Sequence, residues 1–567
     1  MKIIKIILIA VVNLFLIVST VHAQTPTFEW VKQMGGTGYD HGNSITTDAN
    51  GNVYVTGDFS DTVDFDPGAG ISNLMSVDGL DIFIQKLDAN GNLLWVKQMG
   101  GTGNNRGNSI IADSMGNVYA AGIFSGTVDF DPGVNTFNLT SFGGRDVFIQ
   151  KLDFNGNFLW VKQMGGAYVD YVYSITTDAN GYLYATGTFN GTADFDPGVG
   201  TANLTSAGGE DIFIQKLDAN GNLIWVKQMG GTVNDRGLSI TTDANRIIYS
   251  TGIFMGTVDF DPGVGTANLT SIGSHDNFIQ KLDTNGNLLW VKQMGGTGYT
   301  YVSSITTDAN GNVYTVGAFE ATVDFDPGIG TFNLTSVGWS DIFIQKLDAN
   351  GNLLWVKQIE DTNEHYGLSI TTDAIGNLYT TGMFSDTVDF DPGANIFNLT
   401  SVGNHDIFIQ KLDANGNLLW VKQMGGTGHD FGNSITVDAN ENVYAIGGFD
   451  GIADFDPGFG FTNLTPVGLE DIFIHKLSQS VVGILEYAFP ENHVIYPNPT
   501  DGKFSIEFKE MMESLTVSLY SLSGQLIMNK IFQNTNIIQL EINQPNGMYL
   551  LEILDKQGNK VVSKIIK

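Results

Sequence analysis

An all-β chain, most of it one four-stranded unit copied seven times, is what three observations on the sequence predict. Tryptophans stand 65 residues apart at Trp30, Trp95, Trp160, Trp225, Trp290, Trp355 and Trp420, a periodicity that marks a repeat architecture before any side-chain chemistry is weighed. Within each period LLWVKQM, SITTDA, NVYVTG and DIFIQKL are short, rich in Ile, Val, Tyr, Phe and Thr, and set apart by Gly and Asn clusters, as strands are. Asn-Gly pairs between SITTDA and NVYVTG, and again between DIFIQKLD and NLLWV, tolerate positive φ and close tight hairpins. Units of four antiparallel strands, each able to bury its faces only on its neighbours, predict a seven-bladed β-propeller over residues 24–477.

Ahead of the repeats, Lys2 and Lys5 precede an apolar run from Ile6 to Val18 that ends in Val21-His22-Ala23. This reads as a secretory signal peptide over residues 1–23, cleaved between Ala23 and Gln24. No later stretch approaches the roughly 18 apolar residues of a membrane-spanning helix, so no transmembrane segment is expected. The chain has no cysteine, so no disulfide can stabilise it after export. Its 60 acidic and 27 basic side chains give a formal charge of -33, or -35 once Lys2 and Lys5 leave with the leader. Such a surface repels nucleic acid and anionic lipid. The 42% hydrophobic fraction and 36 Phe exclude a disordered acidic tail.

The two ends of the array predict a closed ring. The array begins on a Trp strand, Phe28 to Met34, with no DIFIQKL before it, and finishes on Asp471 to Leu477 with Leu485 where an eighth Trp would fall. The N-terminal strand is therefore expected to complete the last blade, leaving no open sheet edge at the seam. The segments SITTDANGNVYVTG and DIFIQKLDANGNLLWVKQ resemble the bacterial β-propeller repeat labelled SBBP and, more loosely, NHL-type blades. The resemblance implies that SITTD is the innermost strand, NVYVTG the second, DIFIQKL the third and the Trp strand the outermost. It further implies a secreted or surface-exposed propeller, with no shared ligand or reaction.

Successive turns of an antiparallel meander fall at alternate ends, so both DANGN turns lie at one end and the links after WVKQMGG and NVYVTGxF at the other. The DANGN end is nearly uniform among the copies. The opposite end varies: Tyr39-Asp40-His41, Asn104-Asn105-Arg106, Val169-Asp170-Tyr171, Asn234-Asp235-Arg236, Tyr299-Thr300-Tyr301, Glu364-His365-Tyr366 and His429-Asp430-Phe431. A second varying set, Arg145, Glu210, His275, Trp339, His405 and Glu470, precedes the third strand at that same end. Variation confined to one rim is what a binding face produces, what unconstrained exposed loops produce, and what contact with the protein's own tail would produce. On the first reading the ligand-binding candidates are Tyr39, Asp40, His41, Arg106, Tyr171, Arg236, Tyr301, Trp339, His365, Tyr366 and His429.

Two acidic motifs raise the question of a cation. Asp-x-Asn-Gly-Asn resembles the opening of a calcium loop, but a strand begins where the remaining ligands and the bidentate Glu would stand. These segments are read as turns in which Asp and Asn bond local backbone. The VDFDPG element pairs Asp64 with Asp66, Asp129 with Asp131, Asp194 with Asp196, Asp259 with Asp261, Asp324 with Asp326, Asp389 with Asp391 and Asp454 with Asp456. Residues i and i+2 of a strand share a face, which sets these carboxylates about 7 Å apart, and calcium is the natural hard cation for them. The structural alternative is a small hairpin of TVDFDPG with NLTS, Asp-Pro-Gly forming its turn and one Asp capping backbone amides.

Catalysis finds little support. The chain has no cysteine, GxSxG elbow, HExxH helix or GxxxxGK[ST] loop, and copied units supply one group seven times where an active site needs different groups in defined roles. The protein is expected not to be an enzyme. Five of the eight His (His41, His275, His365, His405 and His429) fall in rim loops, but in different units, a poor start for one metal centre. The NLT triplets match the Asn-glycosylation acceptor pattern, although strand and turn formation accounts for them.

Beyond Leu477 a linker, Ser478 to His493, leads into residues 494–567, where alternation in Phe504-Ser-Ile-Glu-Phe and Leu515-Thr-Val-Ser-Leu predicts a small Ig-like β-sandwich. Val494-Ile-Tyr-Pro-Asn-Pro-Thr-Asp-Gly-Lys-Phe, Val517-Ser-Leu-Tyr-Ser-Leu-Ser-Gly-Gln-Leu-Ile, Gly547-Met-Tyr-Leu-Leu-Glu-Ile and the terminal Lys564-Ile-Ile-Lys567 resemble the type IX secretion C-terminal sorting domain, type A. Pro497, Asn498, Pro499, Gly502, Gly524, Gly547 and Tyr549 hold its motif positions. The resemblance implies a Bacteroidetes-type bacterium, export by the type IX secretion machinery, removal of the tail by a sortase-like peptidase, and anchoring to surface lipopolysaccharide or release. The expected function is a secreted or cell-surface, non-catalytic propeller that binds a glycan, matrix polymer or protein in adhesion or capture. A propeller hydrolase or lyase with an axial site, and a passive surface-layer scaffold, are the alternatives.

Overall fold

The computed structural model describes residues 25–360, 362–458, 460–479, 493–497, 500, 502–521, 526–545, 547–556 and 560–567. The Ala23–Gln24 junction lies outside the described residues, as do Asn498, Pro499 and Gly524 of the tail motifs and 480–492 of the expected linker. The chain divides into two units, Met1–Gln479 and Ser480–Lys567, and the described elements are all strands.

The repeat folds as its pattern dictates. In the first copy Asp40–Thr47, Val53–Phe59, Asp81–Leu87 and Leu93–Gly101 pair antiparallel in that order, with Ile45 opposite Val55, Val55 opposite Gln85 and Gln85 opposite Val96. The Asn-Gly turns hold the positive φ they were expected to need, 77° at both Gly51 and Gly91. The second and third strands are buried throughout, which is why they read as near-continuous apolar runs. The Trp strand is partly exposed, as an outermost strand is.

Each hydrophobic core lies between consecutive copies rather than inside one. Tyr54, Ile82 and Ile84 of the first copy pack on Val118, Phe124 and Phe148 of the second, and Tyr444, Ile446 and Ile474 of the last pack on Val53, Val55 and Phe83 of the first. One bond recurs between innermost strands: Ser44 Oγ accepts from Ile110 N, Ser109 Oγ from Ile175 N, and so on until Ser434 Oγ accepts from Ile45 N, at 3.1 to 3.4 Å. The series returns to its start, so the repeats close on themselves.

At the seam the N-terminal strand Thr27–Gly36 pairs with Asp471–Ser478, Val31 opposite His475 and Met34 opposite Ile472. At four other junctions a Trp indole and a third-strand Lys of one copy donate to a single turn carbonyl of the next, as Trp95 Nε1 and Lys86 Nζ do to Phe154 O, both at 3.2 Å, while Lys151 Nζ donates to Tyr119 Oη instead. Across the seam Trp30 Nε1 and Lys476 Nζ, from opposite ends of the repeat, converge on Ala89 O at 3.3 and 3.0 Å. One copy earlier Gln479 stands at the position of that turn carbonyl and uses its side chain, its Oε1 accepting from Lys411 Nζ at 2.8 Å and its Nε2 donating to Glu441 O at 2.9 Å, while among the described residues the buried Trp420 Nε1 has no partner. The linker expected over 478–493 is shorter than that: Ser478 and Gln479 belong to the ring, and His493–Tyr496 is a strand of the tail.

TVD and NLT form the expected hairpin, Thr62–Asp64 with Asn73–Met75 in the first copy. The hairpin hangs from the preceding outer strand, Gly35 opposite Asp64 and Gly36 opposite Val63. A Cβ at Gly36 would lie 2.3 Å from the Thr62 carbonyl oxygen, so this approach requires glycine. The threonine of NLT bonds that of TVD, as Thr257 and Thr270 do at 2.8 Å.

The tail departs from the Ig-like expectation. Its strands, His493–Tyr496, Lys503–Ser521, Leu526–Glu541, Met548–Asp555 and Lys560–Ile566, form one five-stranded sheet instead of two. A register break between Glu507 and Met512 divides the long central strand; its first half pairs with His493–Tyr496 and its second with Met548–Asp555. A break of this kind bends a strand, and both halves, through Phe504, Ile506, Leu515 and Val517, share one core with Leu551 and Ile553. Tyr549 is buried in that core, Gly547 exchanges backbone bonds with Lys567, and the Gly502 carbonyl accepts from Ile542 N.

Candidate functional site

The two varying sets of the rim meet. Parallel bridges join Tyr39 to Glu470, His275 to Tyr299, Ser340 to Glu364 and His405 to His429, so the residues before the third strand of one copy lie beside the start of the next. Ser340, not Trp339, is the bridging residue in its copy.

Three successive rim positions have three different surroundings. Tyr39 is 52% exposed and its ring stacks on His41 at 6.2 Å. Asp40 is fully buried: Oδ2 accepts from Gly36 N at 2.7 Å and Oδ1 from Ser60 N at 3.2 Å. Burial pushes its carboxyl up to about 7. His365, the same position in the sixth copy, is also fully buried, its Nδ1 within 3.4 Å of Ser385 N. Asp40 and His365 are therefore structural ties inside the rim, a correction to the ligand-binding set, because every copy must hold its incoming loop against its hairpin. The third position, His41, Arg106, Tyr171, Arg236, Tyr301, Tyr366 or Phe431, starts the innermost strand and is only partly covered.

Two residues further on lies a position that the rim argument missed. Asn43, Asn108, Tyr173, Leu238, Ser303, Leu368 and Asn433, one from each copy, line a single cavity of about 390 Å³ together with Arg106, Tyr171 and Tyr301. The cavity is at the ring axis, since innermost strands supply its whole lining. The signal was present in the sequence: the residue before Ser-Ile is Asn, Asn, Tyr, Leu, Ser, Leu and Asn in the successive copies. Asn433, Asn43 and Asn108 each donate Nδ2 to the next copy's backbone, at Gly42 O, Gly107 O and Val172 O, over 2.8 to 3.0 Å. Tyr171 and Tyr173 stack with centroids 5.7 Å apart and planes 11° from parallel.

Charge around this mouth is unevenly placed. Buried Asp58 receives His41 Nδ1 at 2.7 Å, Asn43 Nδ2 at 3.0 Å and Arg106 Nε at 3.1 Å. Burial opposes protonation of His41, yet the bond and charge of Asp58 outweigh it and hold the imidazole above its ordinary value. Glu470, 3.8 Å from His41 Nε2, is pushed by burial up to about 7. Arg236 pairs with Glu210 at 2.6 Å, and Arg145 donates Nη1 to Tyr171 Oη at 2.8 Å.

Two shallower depressions flank the mouth. Tyr366 joins Tyr299, Tyr301, Ser274 and Glu320 around about 680 Å³. Trp339, 71% exposed, joins Glu364, Asp386, Asn404, His405 and His429 around about 470 Å³. His405 Nδ1 and His429 Nδ1 stand 3.0 Å apart, so two of the rim histidines, from neighbouring copies, do meet. Burial and the His429 charge lower the His405 pKa.

The paired Asp side chains face their own backbone. Asp64 Oδ1 accepts from Asp66 N at 3.0 Å and Ser72 N at 2.8 Å, and Asp66 Oδ1 from Gly68 N at 2.8 Å. The pattern recurs at Asp129 and Asp131, Asp194 and Asp196, Asp259 and Asp261, Asp324 and Asp326, Asp389 and Asp391, and Asp454 and Asp456. Among the described residues no three acidic or histidine side chains are grouped to hold an ion, and two remaining oxygens per hairpin fall short of the roughly six to eight that calcium takes. The DANGN turns are likewise self-contained: Asp48 Oδ1 accepts from Asn50 N and Asn52 N, and Oδ2 from Asn52 Nδ2 and Tyr54 Oη.

Comparison with known proteins assigns two parts of the chain. A β-propeller repeat model matches residues 29–58, 159–196, 289–318 and 419–447, and a secretion system C-terminal sorting domain model matches 494–567. An uncharacterized WD repeat-containing protein, L264, of Acanthamoeba polyphaga mimivirus is 25% identical over 502 residues, covering 74% of this chain and 36% of that protein. The regulatory protein FlaEY of Caulobacter vibrioides is 27% identical over 238 residues, covering 40% of this chain and 24% of its own. The chain thus spans well under half the length of either curated relative. Solved structures matched include dimeric latent PorU from Porphyromonas gingivalis, at 11% identity and a TM-score of 0.12 over 74% of this chain and 31% of that one. Another is a tetra-tandem repeat from the extending region of a large adhesion protein, at 11% identity and a TM-score of 0.10 over 86% and 95%. Such scores carry no argument about fold. The repeats and the tail do: the chain carries SBBP-type β-propeller repeats in four matched stretches and a type IX secretion C-terminal sorting domain over residues 494–567.

Proposed function

We propose that this protein is a seven-bladed propeller that works without catalysis at the cell surface or outside the cell, binding a glycan, matrix polymer or protein at the mouth of its axial cavity in adhesion or capture. The observation that carries this reading is where the copies differ. Positions that differ among otherwise copied units line one cavity of about 390 Å³, within the roughly 300–1,000 Å³ of small-ligand sites. Ring closure brings these positions together whatever they are, but the Ser-Ile that follows each of them is constant while the lining residue changes from copy to copy. The leader over residues 1–23 takes the chain across the inner membrane, the tail engages the type IX machinery and a sortase-like peptidase, and the paired Asp serve as turn caps, with calcium dispensable. A passive surface-layer scaffold is the competing reading. Saturation binding of the secreted protein to a panel of polysaccharides and matrix proteins separates the two. Binding lost when Tyr301 and Tyr173 are both changed to Ser, with melting unchanged, supports the binding reading; no saturable binding to any member favours the scaffold.

A further inference from the structure

The chain holds only four arginines, Arg106, Arg145, Arg236 and Arg246, within a formal charge of -33. Three of them gather at the axial mouth. Arg106 lines the cavity and is its sole charged lining residue, no carboxylate being among the others. Arg145 reaches the cavity-lining Tyr171, and the charge of Arg236 is felt at the neutral phenols of Tyr173 and Tyr301, where it opposes the burial that raises both. A protein this acidic repels anions almost everywhere, so three arginines at one opening mark it as the place where an anion is received.

Their partners differ. Arg236 is matched by Glu210. Arg106 shares the single charge of Asp58 with His41. Among the described residues Arg145 has no carboxylate partner; its one bond goes to a phenol, which leaves most of its planar donor fork for a ligand carboxylate. The rest of the lining is suited to a sugar. The stacked rings of Tyr171 and Tyr173 and the side chains of Leu238 and Leu368 offer apolar faces. Asn43, Asn108 and Asn433, whose amide nitrogens are held by backbone, keep carbonyl oxygens to accept from hydroxyls.

We propose that the cavity takes an acidic glycan, a uronic-acid carboxylate being received by Arg145 where it meets Tyr171, with Arg106 adding positive charge from the lining, while the sugar ring lies against Tyr171 and Tyr173. This rests on the binding reading above and narrows it to one ligand class.

Calorimetric titration of the secreted full-length protein tests it, with trimers of galacturonic, glucuronic, mannuronic and guluronic acid, their methyl esters, maltotriose and an oligoglutamate peptide. At least one acidic trimer is expected to bind, its methyl ester about ten-fold or more weaker, with affinity falling as salt rises. Arg145→Gln should weaken that trimer about 10- to 100-fold. Tyr173→Leu, the residue of the fourth and sixth copies at that position, should weaken it too. Arg246→Gly, at the opposite end and matching Gly51, Gly116 and Gly181 of other copies, should change nothing. Melting temperatures check that each variant is folded. Equal binding of acid and ester, tighter binding of maltotriose or the peptide, or indifference to Arg145→Gln overturns the acidic-glycan assignment and leaves a binding face standing; no binding by any probe overturns both.

Discussion

The two ends of the ring are made from the same seven copies and obey opposite rules. At the DANGN end the polar groups are engaged chiefly by the scaffold: the Asp of the turn is satisfied inside it, and at most junctions the turn after the third strand lends a carbonyl to the Trp and Lys of the copy before it. Change there costs stability, and the copies stay alike. At the other end one position in three does the structural work. Asp40, Asp170, Asp235 and Asp430 are buried ties, so the residues on either side are released from duty. Variation follows from that release, and the released positions turned toward the axis are the ones that meet in the cavity.

The comparison can be broken most severely at the seam, which both ends share. Removing residues 25–36 deletes the last blade's outer strand, Trp30 and the support of the first hairpin; cooperative thermal unfolding of the ring should be lost, and a preserved calorimetric transition would show that closure contributes nothing. The next effect belongs to the variable end alone. Burial raises Asp40, Asp170 and Asp235 to about 7, and Asp430 to about 8. Folded values above the unfolded carboxylate value mean stability that is complete below about pH 4 and lost as pH climbs through 7 to 8. His475, which burial lowers to about 4, acts in reverse, its contribution being complete above an unfolded value of about 6.5 and lost as pH falls toward 4. Four carboxylates outweigh one histidine, so melting should be highest near pH 4 to 5 and stability should fall on the order of 10 kcal/mol by pH 8; a flat profile from pH 5 to 8 would remove the strained ties from the account.

Smaller changes sharpen the contrast. Asp170→Asn should stabilise by about 2–4 kcal/mol at pH 8, with the gain shrinking toward pH 4, because Asn105 already accepts from Ser125 N at that position. Asp153→Ala at the uniform end should instead cost about 1–2 kcal/mol through its lost turn bonds, much the same from pH 6 to 9. Trp339→Ser, on an exposed side chain, should move stability by no more than about 0.5 kcal/mol in chemical denaturation, and chelator should leave the melting temperature where it is.

Strand content, turn positions and ring closure were legible because each rests on local chemistry repeated seven times: Asn-Gly fixes a turn wherever it stands, and an outer strand missing from the last copy is visible by subtraction. Burial at the rim was not. Asp40 looks like its neighbours in a polar loop, and only the approach of Gly36 and Ser60 from two other segments shows that it is enclosed. The axial lining was hidden for a related reason. Its variation occupies one residue ahead of an almost constant strand, and a residue matters at the axis only when six other copies bring theirs to the same place. In the tail, alternation foretold strands correctly, but whether they form one sheet or two depends on a register break that alternation does not encode.

The bond between Thr27 and Ser478 joins residues 451 positions apart, so the strand that is made first is seated last. Until the final copy arrives, Thr27–Gly36 is paired only at its last two residues, by the first hairpin, and the array keeps an open edge, of the kind that pairs with other chains. A chain interrupted anywhere before Asp471 therefore cannot cover that edge, whatever the state of its other copies.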